Sequence, residues 1–111
     1  MSDTRKKPPW AQLDPEIKPF VQAFWDEGFQ PVNSCQGHGR EDPWIIFSPT
    51  PEMGVYETAE RIKTVLAKHG WFMNALVSVQ STLAIDAEGK AGELEWVELR
   101  WWGLVPFRNV P

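Results

Sequence analysis

Cysteine and tyrosine are almost missing from this chain of 111 residues, since each occurs only once. A single cysteine excludes an intramolecular disulfide and the zinc modules that use several cysteines, and it is typical of a reducing compartment. No apolar run approaches the ~18 residues of a membrane-spanning helix, and residues 1–10 lack the apolar core of a signal peptide. We therefore expect a cytoplasmic protein that is neither secreted nor inserted in a membrane.

Positive charge is also scarce. The chain has 11 lysine and arginine residues against 15 aspartate and glutamate residues, which gives a formal net charge of -4. A chain with this balance repels phosphate polymers, so general nucleic-acid binding is not expected. Its length and its 42% of hydrophobic residues are those of one ordinary domain with its own core.

Aromatic side chains, by contrast, are abundant. Seven tryptophans and six phenylalanines supply more aromatic bulk than one core of this size requires. We therefore expect some of these side chains to lie on a surface that another molecule covers.

The spacing of the apolar residues predicts two helices and four strands. An apolar stripe that starts at Leu13 and recurs at three- and four-residue steps indicates a first helix, which Gly28 ends. A second stripe indicates a helix over 54–69. Strands are predicted over 29–34, 44–47, 71–85 and 94–102.

The resulting order, αββαββ, repeats one arrangement in each half of the chain. A two-layer α+β sandwich satisfies it most simply, with both helices on one face of a four-stranded, mainly antiparallel sheet. Residues 1–12, rich in basic residues and proline, are predicted to be a disordered tail, and 13–111 to be the single domain.

Chemically versatile side chains are concentrated in one glycine-rich loop after the first strand. The first interpretation is that its backbone N–H groups and side chains bind a small anion, such as a phosphate or a carboxylate. The candidate ligand-binding residues are Ser34, Cys35, Gly37, His38, Gly39 and Arg40.

Two other interpretations of this loop remain open. Cys35 is a candidate catalytic nucleophile, with His38 as the proton carrier, but only Glu41 and Asp42 lie near enough in sequence to orient the imidazole. Alternatively, Cys35 is a small packed side chain and His38 a turn residue. A zinc site would need Asp42 or His69 to join them without the paired spacing of zinc modules, so no metal and no cofactor is expected.

The motif Ser34–His38, followed by the strand at Pro43–Phe47 and a helix, resembles that of small uncharacterised bacterial and phage proteins. The element order over 29–72 is also similar to the wybutosine-synthesising TYW3 family. In that family a strand leads into Ser-Ser-Cys-Ser-Gly-Arg, and a later Pro-aromatic-aliphatic strand precedes a helix.

The second resemblance implies an anion-facing or cofactor-facing role for Ser34, Cys35, Gly37 and His38. The sequence departs from the family motif where Asn33, Gln36 and His38 replace two serines and the arginine. Methyl transfer on a tRNA base is therefore not carried over to this chain.

The predicted sheet also has a candidate interaction surface. The face away from the helices would present Leu76, Leu94, Trp96 and Trp102, with either Trp44 and Ile46 or Ile45 and Phe47. So apolar a face usually marks an interface, which predicts a homodimer or an accessory module that binds another protein. An alternative is that residues 103–111 cover it. Stacking of single-stranded bases on its tryptophans is disfavoured by the negative charge.

Overall fold

The computed structural model describes residues 3–71 and 74–102. It contains two helices, α1 (Lys18–Asp26) and α2 (Val55–Lys68), and four strands, β1 (Gln30–Cys35), β2 (Trp44–Ser48), β3 (Asn74–Ile85) and β4 (Ala91–Trp102). The strands form one antiparallel sheet in the order β1-β2-β4-β3. The predicted α+β class and the element order αββαββ are confirmed.

One face of the sheet packs against both helices and forms the core. The fully buried Val97, Leu99 and Trp101 alternate along β4, as expected for a strand with one face inside. Phe20 and Phe24 of α1 lie on them and on β2, with ring centroids 5.4 Å from Trp101 and 5.0 Å from Phe47 respectively. Burying each such side chain stabilises the fold by about 1.5–3 kcal/mol.

Helix α1 begins later than its apolar stripe suggests. Leu13 and Asp14 lie before the helix, and Pro19 occupies its first turn, where the missing N–H of proline costs no helical hydrogen bond. Because Pro19 must lie in the first turn, α1 begins after Asp14. Asp14 therefore lies in a segment that runs beside the end of β1.

The β3–β4 hairpin is much longer than the rest of the sheet. Its strands pair along all 12 residues of each, from Asn74↔Trp102 to Ile85↔Ala91, whereas β2 pairs with β4 only over 97–100. The far half of the hairpin is therefore a two-stranded ribbon that extends past the sheet.

The segment over 3–12 lies against α1 and the start of β1. Arg5 Nη1 donates hydrogen bonds of 2.6 and 2.7 Å to the backbone oxygens of Trp25 and Phe29, and its guanidinium lies 3.7 Å from the centroid of the Trp25 ring. Trp10 packs edge-on against the same ring. Arginine can donate to helix-terminal carbonyls and stack on an aromatic face at once, which holds this segment against α1.

Among the described residues, no helix has the length and apolar character that crossing a bilayer requires. The predicted cover of the outer sheet face by residues 103–111 lies outside the described residues.

Candidate functional site

The glycine-rich loop leaves β1 through three consecutive residues with left-handed backbone conformations. The φ angles are +88° at Gly37, +50° at His38 and +76° at Gly39. A Cβ atom at Gly37 would lie 2.1 Å from the backbone oxygen of Glu41, so the loop closes tightly enough to require glycine there. His38 carries a Cβ atom, and a positive φ at a non-glycine residue is uncommon.

This loop is tied to the segment before α1 by a reciprocal pair of hydrogen bonds. The backbone N–H of Gln36 donates to Asp14 Oδ2 at 3.1 Å, and the backbone N–H of Glu16 donates to the side-chain oxygen of Gln36 at 3.0 Å. The carboxylate of Asp14 is thereby brought into the loop although it lies 22 residues before Gln36.

Three side chains of different chemistry meet at this point. The candidate ligand atoms of Asp14, Cys35 and His38 lie within 4.8 Å of one another, and His38 Nε2 lies 3.3 Å from Asp14 Oδ2. The backbone N–H of Gly37 donates to Cys35 Sγ at 3.3 Å. We call these three residues the loop cluster.

The loop cluster unites the predicted Cys35 and His38 and adds a residue that sequence reasoning missed. Asp14 precedes α1, and Pro19 in the first helical turn is the sequence signal that the helix begins after it. Of the two expected orienters, Glu41 instead accepts a hydrogen bond from Trp44 Nε1 at 3.1 Å, and Asp42 is not part of the cluster. His69 stacks on Trp71 beyond the end of α2.

The other predicted ligand-binding residues lie outside the loop cluster. Gly39 and Arg40 are exposed. Ser34 pairs with Ile45 on the core side of the sheet, and its buried Oγ has no hydrogen-bond partner among the described residues. Ser34 and Asp14 both line a cavity of about 240 Å³ between the N-terminal segment, α1 and β1.

The position of Asp14 bears on the anion-binding interpretation. Its carboxylate accepts the backbone N–H of Gln36, a residue of the same loop. A second anion at the same position would be repelled by this negative charge. Anion binding by this loop therefore stays a prediction, and the carboxylate of Asp14 is a feature that disfavours it.

The sheet face away from the helices is the second candidate site. Leu76, Leu94 and Trp102 are 56%, 59% and 44% exposed there. The β2–β4 register places Trp44 and Ile46 on this face, and Ile45 and Phe47 in the core. We call it the open face; it includes the apolar Trp44, Ile46, Leu76, Leu94, Trp96 and Trp102 and the polar Ser78, Gln80, Thr82, Glu98 and Arg100.

In comparisons with known proteins, no protein-family model matches the chain, and no curated protein and no solved structure is significantly similar to it. The resemblances noted from the loop motif therefore stay predictions.

Proposed function

We propose that this protein is a small binding domain that joins two copies of itself through the open face. The observation that carries the proposal is the half-exposed apolar surface of Leu76, Leu94 and Trp102, on the sheet face opposite to the one that packs against the helices. Isolated exposed apolar residues are ordinary, but a contiguous group on one sheet face usually marks an interface.

The size of the open face supports a second copy as its occupant. The four strands have 12, 12, 6 and 5 residues. With a rise of about 3.4 Å per residue and a strand spacing of about 4.8 Å, the sheet face covers an area of about 600 Å². A standard interface buries about 800 Å² on each partner, so this area together with its rim suffices for a dimer.

The charges on the open face also fit a two-fold symmetric contact. Arg100 Nε donates to Glu98 Oε2 at 3.0 Å, and Arg100 Nη1 lies 3.7 Å from Glu41 Oε1. A paired acid and base can be covered at lower cost than a single charge. In an isologous dimer the same pair recurs on the facing copy, so each charge also has an opposite charge to meet.

The matched variants Leu76→Glu and Leu83→Glu test the proposal. Both leucines lie on β3 and are well exposed, at 56% and 69%, but the pleat directs them to opposite sides of the hairpin. We expect light scattering to give twice the 12.7 kDa monomer mass for the wild type and for Leu83→Glu, and the monomer mass for Leu76→Glu.

A wild-type protein that stays monomeric at the highest concentration reached would refute the dimer. Equal loss of the dimer in both variants would instead place the contact at the outer edge of β3. This edge strand contains no charged residue and no proline, so it lacks the usual protection against strand pairing. Dimers in both variants would show that the open face is not the interface.

A further inference from the structure

We propose that the loop cluster of Asp14, Cys35 and His38 binds a divalent transition-metal ion of the zinc class. The proposal goes beyond self-association and does not depend on it, because the cluster is built from the loop after β1 and the segment before α1.

The donor atoms select the class of ion. A thiolate, an imidazole nitrogen and a carboxylate oxygen are the three ligand types that zinc takes in proteins. Magnesium and calcium prefer oxygen ligands alone, so the sulfur of Cys35 disfavours both. Three protein ligands also match the number in zinc sites that keep one position for water or a small ligand.

The separations of the donor atoms are close to those that zinc requires. Bonds of about 2.0–2.3 Å in a tetrahedral arrangement place the ligand atoms about 3.3–3.7 Å apart. His38 Nε2 and Asp14 Oδ2 already meet this separation at 3.3 Å, and the widest pair in the cluster is within 4.8 Å. The remaining movement of about 1 Å is available because the His38 side chain is 56% exposed.

Backbone groups hold two of the three ligands in place. The Gln36 N–H donates to the carboxylate of Asp14, and the Gly37 N–H donates to Cys35 Sγ. Hydrogen bonds of this kind from outside the ligand set orient metal ligands. The hydrogen bond from Glu16 to the Gln36 side chain adds a second connection between the two segments, so the ligands are brought together before any ion arrives.

Asp14 of the loop cluster also lines the cavity of about 240 Å³, together with Ser34. An ion in the loop cluster would therefore lie beside a cleft whose polar lining includes Asn33 and the buried Ser34 Oγ, which has no hydrogen-bond partner in the described part of the chain. This arrangement allows a small ligand with an oxygen donor to reach the ion from the cleft.

The test uses the full chain with its thiol reduced and its metal removed by a chelator. Zinc is titrated against a chromophoric chelator, and cobalt(II) is used as a spectroscopic substitute. We expect one equivalent of either ion to bind, and the cobalt complex to show sulfur-to-cobalt charge-transfer absorption in the near ultraviolet.

Variants of the ligands assign the site. Cys35→Ser should abolish the charge-transfer band and weaken zinc binding at least a hundredfold, and Asp14→Asn should weaken it at least tenfold. His38→Asn should also weaken it at least tenfold, and asparagine tolerates the left-handed backbone at this position better than alanine. His69→Gln is the matched control, since it removes the other histidine of the chain and should change nothing.

Several results would overturn the proposal. These are no stoichiometric binding, binding that persists undiminished in Cys35→Ser and Asp14→Asn, or equal weakening in His69→Gln. A Cys35 thiol that iodoacetamide alkylates at the same rate with and without zinc would likewise show that the thiol does not bind the ion. Leu76→Glu should retain full zinc affinity, which separates this test from that of the dimer.

Discussion

At the scale of single residues, the loop after β1 owes its shape to a few backbone positions. Gly37, His38 and Gly39 all have positive φ angles, but they differ in the space around them. A side chain at Gly37 would collide with the Glu41 backbone, whereas no atom of the described residues lies within 4 Å of the Cβ position at Gly39. The two glycines therefore separate the cost of the backbone conformation from the cost of the close contact.

We predict that Gly37→Ala destabilises the protein much more than Gly39→Ala. The second substitution carries only the left-handed conformation of a residue with a Cβ, about 1–2 kcal/mol. The first adds a steric conflict with backbone that must move, for a total of about 3 kcal/mol or more. Urea unfolding monitored by tryptophan fluorescence measures both values. Equal losses for the two variants would mean that the tight contact at Glu41 is absent in solution.

At the scale of secondary-structure elements, the C-terminal ends of α1 and α2 are linked by side chains of α2. Lys68 Nζ lies 2.5 Å from Glu27 Oε2, and Arg61 Nη2 donates to the Glu27 backbone oxygen at 3.2 Å. Positive groups near helix C-terminal carbonyls are favourable, so these contacts suit both helix ends. The hydrogen bond from Lys68 holds the pKa of Glu27 below its ordinary value.

The link between Glu27 and Lys68 predicts a pH-dependent effect of Lys68→Met. Because the pKa of Glu27 is lowered in the folded state, its contribution to stability is present above the ordinary glutamate pKa and is lost as the pH falls through the lowered value. The variant should therefore melt slightly below the wild type at pH 7, and the difference should vanish in acid. The contribution is small because the pair is near solvent.

Lys63→Met is the control for this measurement. Lys63 pairs with Glu60 one turn away on the same helix, and both side chains are exposed, so this pair joins no two elements. A difference in melting temperature that stays constant from pH 7 into acid, or that is equal in both variants, would contradict the assigned role of Lys68.

At the scale of the whole molecule, the two halves of the β3–β4 hairpin are stabilised by different numbers of neighbouring elements. Residues 97–100 of β4 lie between β2 and β3, under both helices. Within 3–71 and 74–102, residues 80–85 and 91–96 pair only with each other. A two-stranded ribbon is marginally stable in water without a packed face. The molecule should therefore open first at the far half of the hairpin.

Hydrogen exchange should reveal this gradient. In Leu76→Glu, chosen to exclude protection by a second copy, we expect amides of the ribbon to exchange at least about a hundredfold faster than those of Val97 and Leu99. Uniform protection along the whole hairpin of this variant would show that the ribbon is stabilised by contacts absent from the present fold.

Much of the architecture follows from local patterns in the sequence. The stripe that ends at Gly28, the stripe over 54–69 and the alternation along β4 each report the environment of nearby residues, and the structure confirms the elements that they predict. Both helices lie on one sheet face, as the αββαββ order suggested. The exact boundaries of the helices are harder to predict from the sequence. Helix α1, for example, starts at Lys18 because proline is accommodated only in the first turn.

What the tertiary structure alone decided is which distant residues meet. No local pattern relates Asp14 to Cys35 and His38, because their proximity depends on how the segment before α1 passes the end of β1. Likewise, the apolar residues of β2 do not alternate with polar ones, so the sequence does not show whether Trp44 or Ile45 faces outward. The β2–β4 register decides this, because it places Ile45 opposite Leu99. Periodicity is a property of neighbours along the chain, whereas a site and a surface arise from neighbours in space.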